Sequence, residues 1–340
     1  MRLNNPGVSI VTVCMNRSGH LLQSAAAVAA WPHHAEHLVV DWSSTEPLRR
    51  ADLPGDPRLR LLRVEGEERW NLCRAYNFAV GQACGAVILK LDADAWPSQG
   101  FDPSAPGLRM GDRGRVCAFG SGLDGRKGQL LIERRMFEDV GGFNELMMGY
   151  GFDDKDLRVR LRLLSGQEPA VIPADWLEVI AHSDEERAEQ GRAGHGHWLK
   201  ACQGQAAMRA TQMANRLVAA YCPWSARMAA SCYDECSEAT WRVRTASIPR
   251  RPGSIVAELD HVGRMTFWGT FLAVPEVFLE TLPFSLFPPA QDGRWDVRWW
   301  HRLWWWTGRQ LLHLPVLALV GGRAAIAPLL GRRQRSGKPN

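Results

Sequence analysis

The sequence lacks the features that mark several common classes of protein. Its eight cysteines include no Cys-x-x-Cys pair, the spacing typical of zinc sites and thiol redox centres. Several of these cysteines lie inside apolar stretches, as reduced and buried thiols do. The first 13 residues contain no apolar segment of the kind found in secretory signals. We therefore expect a protein of the reducing cytoplasm.

A large excess of charge and an uninterrupted apolar run are also missing. The 340 residues are 46% hydrophobic and 23% charged, with a formal net charge of +5. This modest charge does not favour nucleic acid as a partner. Residues 311–330 are apolar but are interrupted by histidine, arginine, glycine and proline, so we do not predict a membrane-spanning helix there. The composition is that of a globular protein with one large domain and an appendage, or with two small domains.

Strand-like and helix-like segments alternate in the first 91 residues. The strand-like runs are residues 8–13, 37–41, 59–64 and 86–91, and the helix-like stretches are residues 21–30 and 70–84. This alternation predicts an α/β fold with a mostly parallel sheet and flanking helices, in which ligands bind beyond the carboxyl ends of the strands. Asp41 and the pair Asp92 and Asp94 fall at such ends.

The sequence Asp92-Ala93-Asp94 is the first candidate site. Two carboxylates at the end of a buried strand can present oxygen ligands to a divalent ion bound to phosphates, which predicts a nucleotide-diphosphate site. A polar turn, in which an aspartate caps the next element, explains the same pair. Both interpretations are open for the pair taken alone.

A second acidic motif lies in the middle of the chain. Residues 140–145 read Val-Gly-Gly-Phe-Asn-Glu, and residues 149–157 read Gly-Tyr-Gly-Phe-Asp-Asp-Lys-Asp-Leu. The glycines permit tight turns that bring an aromatic and an acidic cluster into a cleft. Alternatively, Asp153, Asp154 and Asp156 only stabilise the amino end of a helix through its dipole.

Together, and in this order, these motifs resemble those of GT-A glycosyltransferases. The resemblance is to the family-2-like enzymes, with the acceptor-side module shared with β-galactosyltransferases and polypeptide N-acetylgalactosaminyltransferases. It covers about residues 8–182 and depends on several motifs occurring in the same order. It implies a GT-A, Rossmann-like domain over residues 1–193, followed by a mainly helical, Trp-rich and basic extension over residues 194–340.

The resemblance also implies a role for individual residues. The implied donor-binding residues are Cys14, Asn16, Arg17, Asp41, Asn77 and Asp92. The implied acceptor-binding residues are Tyr150 and Asp153, the implied catalytic base is Asp154, and the implied metal ligands are Asp94 and His182. An ordinary histidine at a strand end is the alternative for His182.

The implied activity is that of an inverting, metal-dependent hexosyltransferase. It would move a sugar from a nucleotide-diphosphate donor, a UDP-sugar by resemblance, to a hydroxyl of a glycan or lipid-linked acceptor, as in polysaccharide biosynthesis. A divalent ion stabilises charge on the leaving diphosphate, and a carboxylate within about 3 Å of the acceptor hydroxyl removes its proton. Oxygen ligands with one imidazole suit Mn²⁺ or Mg²⁺. A nucleotide-sugar hydrolase or nucleotidyltransferase and a non-catalytic carbohydrate-binding protein are the alternatives.

The extension contains a Trp-rich segment at residues 294–306. On a helix, Arg294, Arg298 and Arg302 would share one face. Trp295, Trp299, Leu303 and Trp306 would share another. Such a helix, followed by the basic residues Arg332, Arg333, Arg335 and Lys338, is typical of peripheral binding to an anionic membrane surface, here the inner face of the cytoplasmic membrane. A helix packed on the protein itself is the alternative.

Overall fold

A computed structural model describes residues 5–110, 114–123, 125–180, 197–271, 297 and 299–308, with single positions at 311, 314, 318 and 322. The chain divides into two compact units. One unit comprises Met1–Ser183 with Cys222–Pro252, and the other comprises Asp184–Tyr221 with Gly253–Asn340. This division differs from the one predicted at residue 193, because part of the predicted extension adds two strands to the sheet of the first unit.

The strands and helices predicted in the first 91 residues are present in the predicted order, and further elements follow them. The strands are β1 Asn5–Cys14, β2 His34–Trp42, β3 Leu59–Glu65, β4 Gly85–Asp92, β5 Ala95–Pro97, β6 Arg109–Met110, β7 Arg115–Gly120, β8 Leu130–Glu133, β9 Ala170–Ile172, β10 Leu177–Val179, β11 Tyr233–Ser237 and β12 Thr240–Val243. The α-helices are α1 Ser18–Ala30, α2 Leu72–Gln82, α3 Arg134–Asp139, α4 Asp153–Ser165, α5 His197–Tyr221, α6 Gly253–Phe271 and α7 Trp299–Leu303, of which the last is followed by a π-helical turn Trp304–Gly308. Short 3-10 turns lie at Arg50–Asp52, Pro106–Leu108, Arg126–Gly128, Ala174–Trp176 and Thr245–Ser247.

The first unit is built on a mixed sheet with a parallel centre. Its strand order is β11-β12-β3-β2-β1-β4-β8-β7-β6, and β9 pairs with β7. Strands β12, β3, β2, β1 and β4 run parallel to one another, whereas β4, β8 and β7 are joined by antiparallel pairs. The predicted fold class, an α/β sheet with flanking helices, is confirmed.

The buried strands explain why the sheet forms. Alternate residues of β1 and β4, such as Ile10, Leu89 and Leu91, pack against Val28 and Trp31 from α1 and its end. Because both faces of these strands are removed from water, apolar residues predominate along them, and the polar exceptions in β1 and β4 include Ser9, Thr12 and Lys90. The carboxyl ends of β1, β2 and β4 therefore lie at one edge of the sheet.

Local signals fix the two helices that carry site residues. The Asn71 side chain caps α2 by accepting a hydrogen bond from the backbone N–H of Arg74 at 3.0 Å. Helix α4 has three aspartates in its first turn and ends at Gly166, whose φ of 74° favours glycine. The predicted helix-dipole role of these acids is therefore compatible with the structure.

The second unit is helical in its described part. Arg302 in α7 donates to Glu258 Oε1 at 3.2 Å, and the indole ring of Trp306 stacks on the imidazole of His261 at 3.7 Å. Trp299 and Leu303 are exposed, as is half of Trp306. The predicted partners Arg294, Trp295, Arg298 and the basic tail lie outside the described residues. None of the helices in the described segments combines the length and hydropathy of a membrane-spanning segment.

Candidate active site

Asp92 is the last residue of β4, and its carboxylate is held by three side chains. Its Oδ1 accepts hydrogen bonds from Lys90 Nζ at 2.8 Å and from the Tyr76 hydroxyl at 3.2 Å. Its Oδ2 accepts from Gln129 Nε2 at 2.9 Å, and its backbone N–H donates to Gln129 Oε1 at 2.9 Å. The Asp92 carboxylate is therefore fixed by groups from β4, α2 and the loop before β8, and a simple turn does not account for it.

Lys90 was missed by the sequence reasoning. Its side chain is almost fully buried, and its ammonium donates to the carbonyl oxygen of Gly128 at 2.8 Å as well as to Asp92. The ammonium also lies 4.6 Å from the centroid of the Tyr76 ring. A lysine inside the apolar run of residues 86–91 was the available signal, because lysine is rarely buried without a partner.

Asp154 lies beside this cluster. The Cβ position that an alanine would have at residue 128 is 3.4 Å from Asp92 Oδ2, 3.5 Å from Asp154 Oδ2 and 3.8 Å from Lys90 Nζ. These three charged groups, two from β4 and one from α4, therefore surround a single point next to Gly128. The structure thus brings together one acid from each of the two sequence motifs.

Burial and charge alter the pKa values of these groups. Burial, followed by the negative charge of Asp153, raises the pKa of Asp154 well above its usual value. Burial also raises the pKa of Asp153. For Asp92, burial raises the pKa, but the Lys90 ammonium together with the hydrogen bonds from Gln129 and Tyr76 outweighs burial, so the pKa is lowered. The two sides of the cluster are thus an ionised carboxylate, Asp92, and a carboxylate with enhanced proton affinity, Asp154.

Asp94 follows the cluster and is partly accessible. Its Oδ2 lies 3.6 Å from a guanidinium nitrogen of Arg17, which comes from the loop after β1. The Asp94 carbonyl oxygen accepts a hydrogen bond from the backbone N–H of Ile180 at 2.9 Å, so the chain that leads to His182 runs beside Asp94. His182 itself lies outside the described residues.

The acidic and imidazole side chains near Asp94 determine whether a divalent ion can bind there. Within the described residues, no group of three or more histidine, cysteine, aspartate and glutamate side chains is arranged to hold a metal. Asp94 is a carboxylate that already lies against a cationic group. One or two protein carboxylates, completed by substrate phosphates, are the usual ligands of Mg²⁺. Asp94, a single accessible carboxylate, is compatible with an ion that binds together with a diphosphate, and its role as a metal ligand stays a prediction.

The loop after β1 is tied to the loop after β2. Asn16 adopts a φ of 57°, its backbone N–H donates to Ser44 Oγ at 3.0 Å, and its Oδ1 accepts from the Thr45 N–H at 2.8 Å. Burial raises the pKa of the Cys14 thiol to about 11, so this cysteine is not a thiolate nucleophile near neutral pH. Cys14, Asn16 and Arg17 thus form one ordered loop at the carboxyl edge of the sheet.

Asp41 orders the second of these loops. Its buried carboxylate accepts hydrogen bonds from the backbone N–H groups of Ser44 at 3.0 Å and Leu48 at 3.1 Å, and from Arg63 at 2.5 Å. These contacts close the loop after β2, and this structural role is enough to explain an aspartate at the strand end. Its contact with a nucleotide stays a prediction.

Asn77 contacts the second motif. Its Nδ2 donates to the Phe143 carbonyl and to Glu145 Oε1, both at 2.9 Å, and its Oδ1 accepts from the Phe143 N–H at 2.8 Å. A Cβ on Gly142, whose φ is 67°, would lie 2.3 Å from Asn77 Oδ1. Asn77 therefore holds residues 142–145 against α2, and its implied donor contact stays a prediction.

The segment before α4 carries an exposed aromatic residue. Tyr150 is 54% exposed and Met148 is 52% exposed. Phe152 next to α4 has a φ of 75°, and Asp153 is buried. The acceptor-binding roles implied for Tyr150 and Asp153 stay predictions, with Tyr150 accessible to a ligand.

Comparison with known proteins finds similarity to glycosyltransferases. Residues 121–174 match the family model described as the N-terminal domain of galactosyltransferase. A search of curated protein sequences finds no match.

Several solved structures are similar in fold at low identity. The catalytic domain of Drosophila β1,4-galactosyltransferase 7, in complex with xylobiose, is 13% identical with a TM-score of 0.38, and the match covers 70% of this chain and 93% of that one. Glucosyl-3-phosphoglycerate synthase from Mycobacterium tuberculosis, in complex with Mn²⁺, UDP and glucosyl-3-phosphoglycerate, is 13% identical with a TM-score of 0.40, covering 62% of this chain and 81% of that one. A mannosyltransferase from Pyrobaculum calidifontis, in complex with GDP-mannose and Mn²⁺, is 16% identical with a TM-score of 0.39, covering 95% of this chain and 83% of that one.

The family-model match falls on the segment that includes the second acidic motif and Gly128. The assignment to the family-2-like enzymes in particular stays a prediction. The resemblance of this chain to glycosyltransferases, inferred from its motifs, is confirmed.

Proposed function

We propose that the protein is an inverting, metal-dependent glycosyltransferase that moves a sugar from a nucleoside-diphosphate donor to an acceptor hydroxyl. The observation that carries this proposal is the convergence of Asp92 and Asp154 on one point beside Gly128. A transferase needs a donor side and an acceptor side that meet at one reacting carbon, with the acceptor hydroxyl about 3 Å from that carbon. Two acids from separate motifs, with opposite changes in pKa, supply such sides.

On the donor side, Arg17 and the loop that begins at Cys14 would bind the diphosphate, and Asp92 would bind the sugar-nucleotide near its ribose. Asp94 would hold Mn²⁺ or Mg²⁺, joined by His182, because the chain before His182 runs beside Asp94. When bound, such an ion stabilises the negative charge that develops on the leaving diphosphate. By the resemblance, we propose a UDP-sugar as donor.

On the acceptor side, Asp154 would accept the proton of the attacking hydroxyl. A general base works best when its pKa lies near the operating pH, and burial shifts the pKa of Asp154 in that direction. Attack on the face opposite the diphosphate in one displacement inverts the anomeric centre. Tyr150, which is exposed next to α4, would offer its ring to an acceptor sugar.

We further propose a glycan or lipid-linked acceptor and peripheral binding to an anionic membrane surface. Trp299, Leu303 and Trp306 present exposed apolar side chains in the second unit. Aromatic residues of this kind prefer the interface of a bilayer. Co-sedimentation with vesicles of anionic phospholipid should fall when Trp299 and Trp306 are both replaced by alanine, and unchanged sedimentation would contradict membrane binding.

The activity is tested by a screen of nucleotide sugars for thermal stabilisation in the presence of Mn²⁺. A donor present at about 100 times its dissociation constant should stabilise the native state by about 2.7 kcal/mol. The stabilising donor is then incubated with candidate acceptors, and the products are analysed. A donor that is hydrolysed but never transferred would indicate a hydrolase, and a uniform lack of stabilisation would contradict the proposal.

A further inference from the structure

The Lys90 ammonium occupies an unusual position for a buried charge. It lies among three carboxylates, with Asp92 at hydrogen-bond distance and with Asp153 and Asp154 close enough to act on it electrostatically. Burial lowers the pKa of Lys90, but Asp92 and Asp154 more than compensate, so the pKa is raised and the side chain stays charged. The ammonium thus faces acids from both motifs.

Two fixed contacts restrain this ammonium. It donates to Asp92 Oδ1 and to the Gly128 carbonyl oxygen, both at 2.8 Å. Gly128 belongs to the turn before β8, which Gln129 in turn fastens to Asp92 through two hydrogen bonds. Lys90, Asp92 and Gln129 therefore form a ring of hydrogen bonds that fixes the position of the turn at Gly128 relative to the end of β4.

The turn at Gly128 lies next to both Asp92 and Asp154. A methyl group at position 128 would lie at van der Waals distance from both carboxylates. Glycine keeps a side chain out of this position beside the two acids, and the backbone that borders it is held by Lys90. A change in the length or shape of the side chain at position 90 would therefore alter the separation of the two acids.

We infer that Lys90 is a positioning residue, which fixes the separation between the donor-side carboxylate Asp92 and the acceptor-side carboxylate Asp154 through its hydrogen bonds to Asp92 and to the Gly128 carbonyl. This inference rests on the proposed function for the roles of the two acids. A purely structural role, in which Lys90 only neutralises Asp92, makes different predictions for the kinetics.

The test is a double-mutant cycle between Lys90→Arg and Asp154→Asn. Arginine keeps the positive charge but is longer and planar, so it cannot make the same pair of contacts. We expect Lys90→Arg to lower kcat about 10- to 100-fold, because small displacements of reacting groups have effects of this size, while the KM for the donor stays within about threefold. In the Asp154→Asn background, Lys90→Arg should change the residual kcat by less than about twofold, because it acts through Asp154.

Lys127→Arg is the matched control, because it makes the same chemical change at an exposed residue next to Gly128. It should leave kcat unchanged in both backgrounds. Lys90→Met, which keeps an unbranched, slightly shorter side chain and removes the charge, is the second variant, and it should lower kcat at least as much as Lys90→Arg. Melting temperatures and donor affinities by calorimetry show whether each variant is folded and binds donor.

Equal, independent losses of kcat in the two backgrounds would overturn the inference, as would a rise in the KM for the donor that accounts for the whole effect. Wild-type kcat in Lys90→Arg would also overturn it, since charge alone would then suffice. A wild-type protein that binds no donor and transfers no sugar would instead refute the proposed function. The two failures are therefore distinguishable.

Discussion

Replacing Asn77 by alanine separates two roles for this residue. The resemblance implies a contact with the donor, whereas the structure shows the amide bonded to residues 143 and 145 of the second motif. If the structural contacts are its main function, Asn77→Ala should destabilise the fold first. Donor affinity, measured on the folded variant, should then stay close to that of the wild type.

The size of the effect follows from the contacts that are lost. Three part-buried hydrogen bonds disappear, each worth about 1 kcal/mol, so the free energy of unfolding should fall by about 3 kcal/mol. For a domain of about 150 to 250 residues, 1 kcal/mol corresponds to about 2–4 °C, so the melting temperature should fall by roughly 6–12 °C.

Circular dichroism against temperature measures this shift, and calorimetry well below the transition measures donor affinity. Gln82→Ala, at the carboxyl end of α2, controls for the loss of an amide side chain from this helix and should shift the melting temperature by less than about 2 °C. An unchanged melting temperature with donor affinity weakened tenfold would refute the structural role of Asn77 and support the donor contact.

Two further predictions concern stability. Burial lowers the pKa of His37 to about 3, so below a pH of about 6.5 the unfolded state binds more protons and the free energy of unfolding falls by about 1.4 kcal/mol per pH unit. Urea unfolding should show that the free energy of unfolding is about 2 kcal/mol lower at about pH 5 than at about pH 7.5. The variant His37→Gln should reduce this loss, whereas His33→Gln, at an exposed position, should not. Equal losses in the wild type and both variants would contradict this. Gly142→Ala should lower the free energy of unfolding by more than about 3 kcal/mol, because the new Cβ would lie 2.3 Å from Asn77 Oδ1 at a positive φ. Gly81→Ala, inside α2 with nothing within 4 Å of its Cβ position, should stabilise by about 0.5–1 kcal/mol, and similar melting temperatures for the two variants would refute this steric argument.

The strands and helices of the first 91 residues were predictable because their signals are local. The strand predicted at residues 86–91 is observed as Gly85–Asp92, and the helix predicted at residues 70–84 is observed as Leu72–Gln82. Apolar runs and helical periodicity depend only on neighbouring residues. The strand pair β11–β12 was not predicted, because its place beside β3 depends on pairing between distant segments.

The candidate site was predictable only in outline. The positions of acids at strand ends and at a helix start indicated where a ligand would bind. The contacts of Asn77 and Asp41 were not predictable, because a polar side chain next to a loop can bond either to a ligand or to the backbone. Gln129 contacts Asp92 across 37 residues of sequence, and no short motif signals that contact.

The rate at which the Asp154→Asn variant transfers sugar, measured with saturating labelled donor and Mn²⁺, tests the central claim most directly. The variant should bind the donor with an affinity within about threefold of wild type, because the amide preserves the shape of the side chain, while its rate of transfer should fall about 10²- to 10⁴-fold with the loss of the base. Turnover at the wild-type rate would contradict the account, because Asp154 would then have no part in accepting the proton.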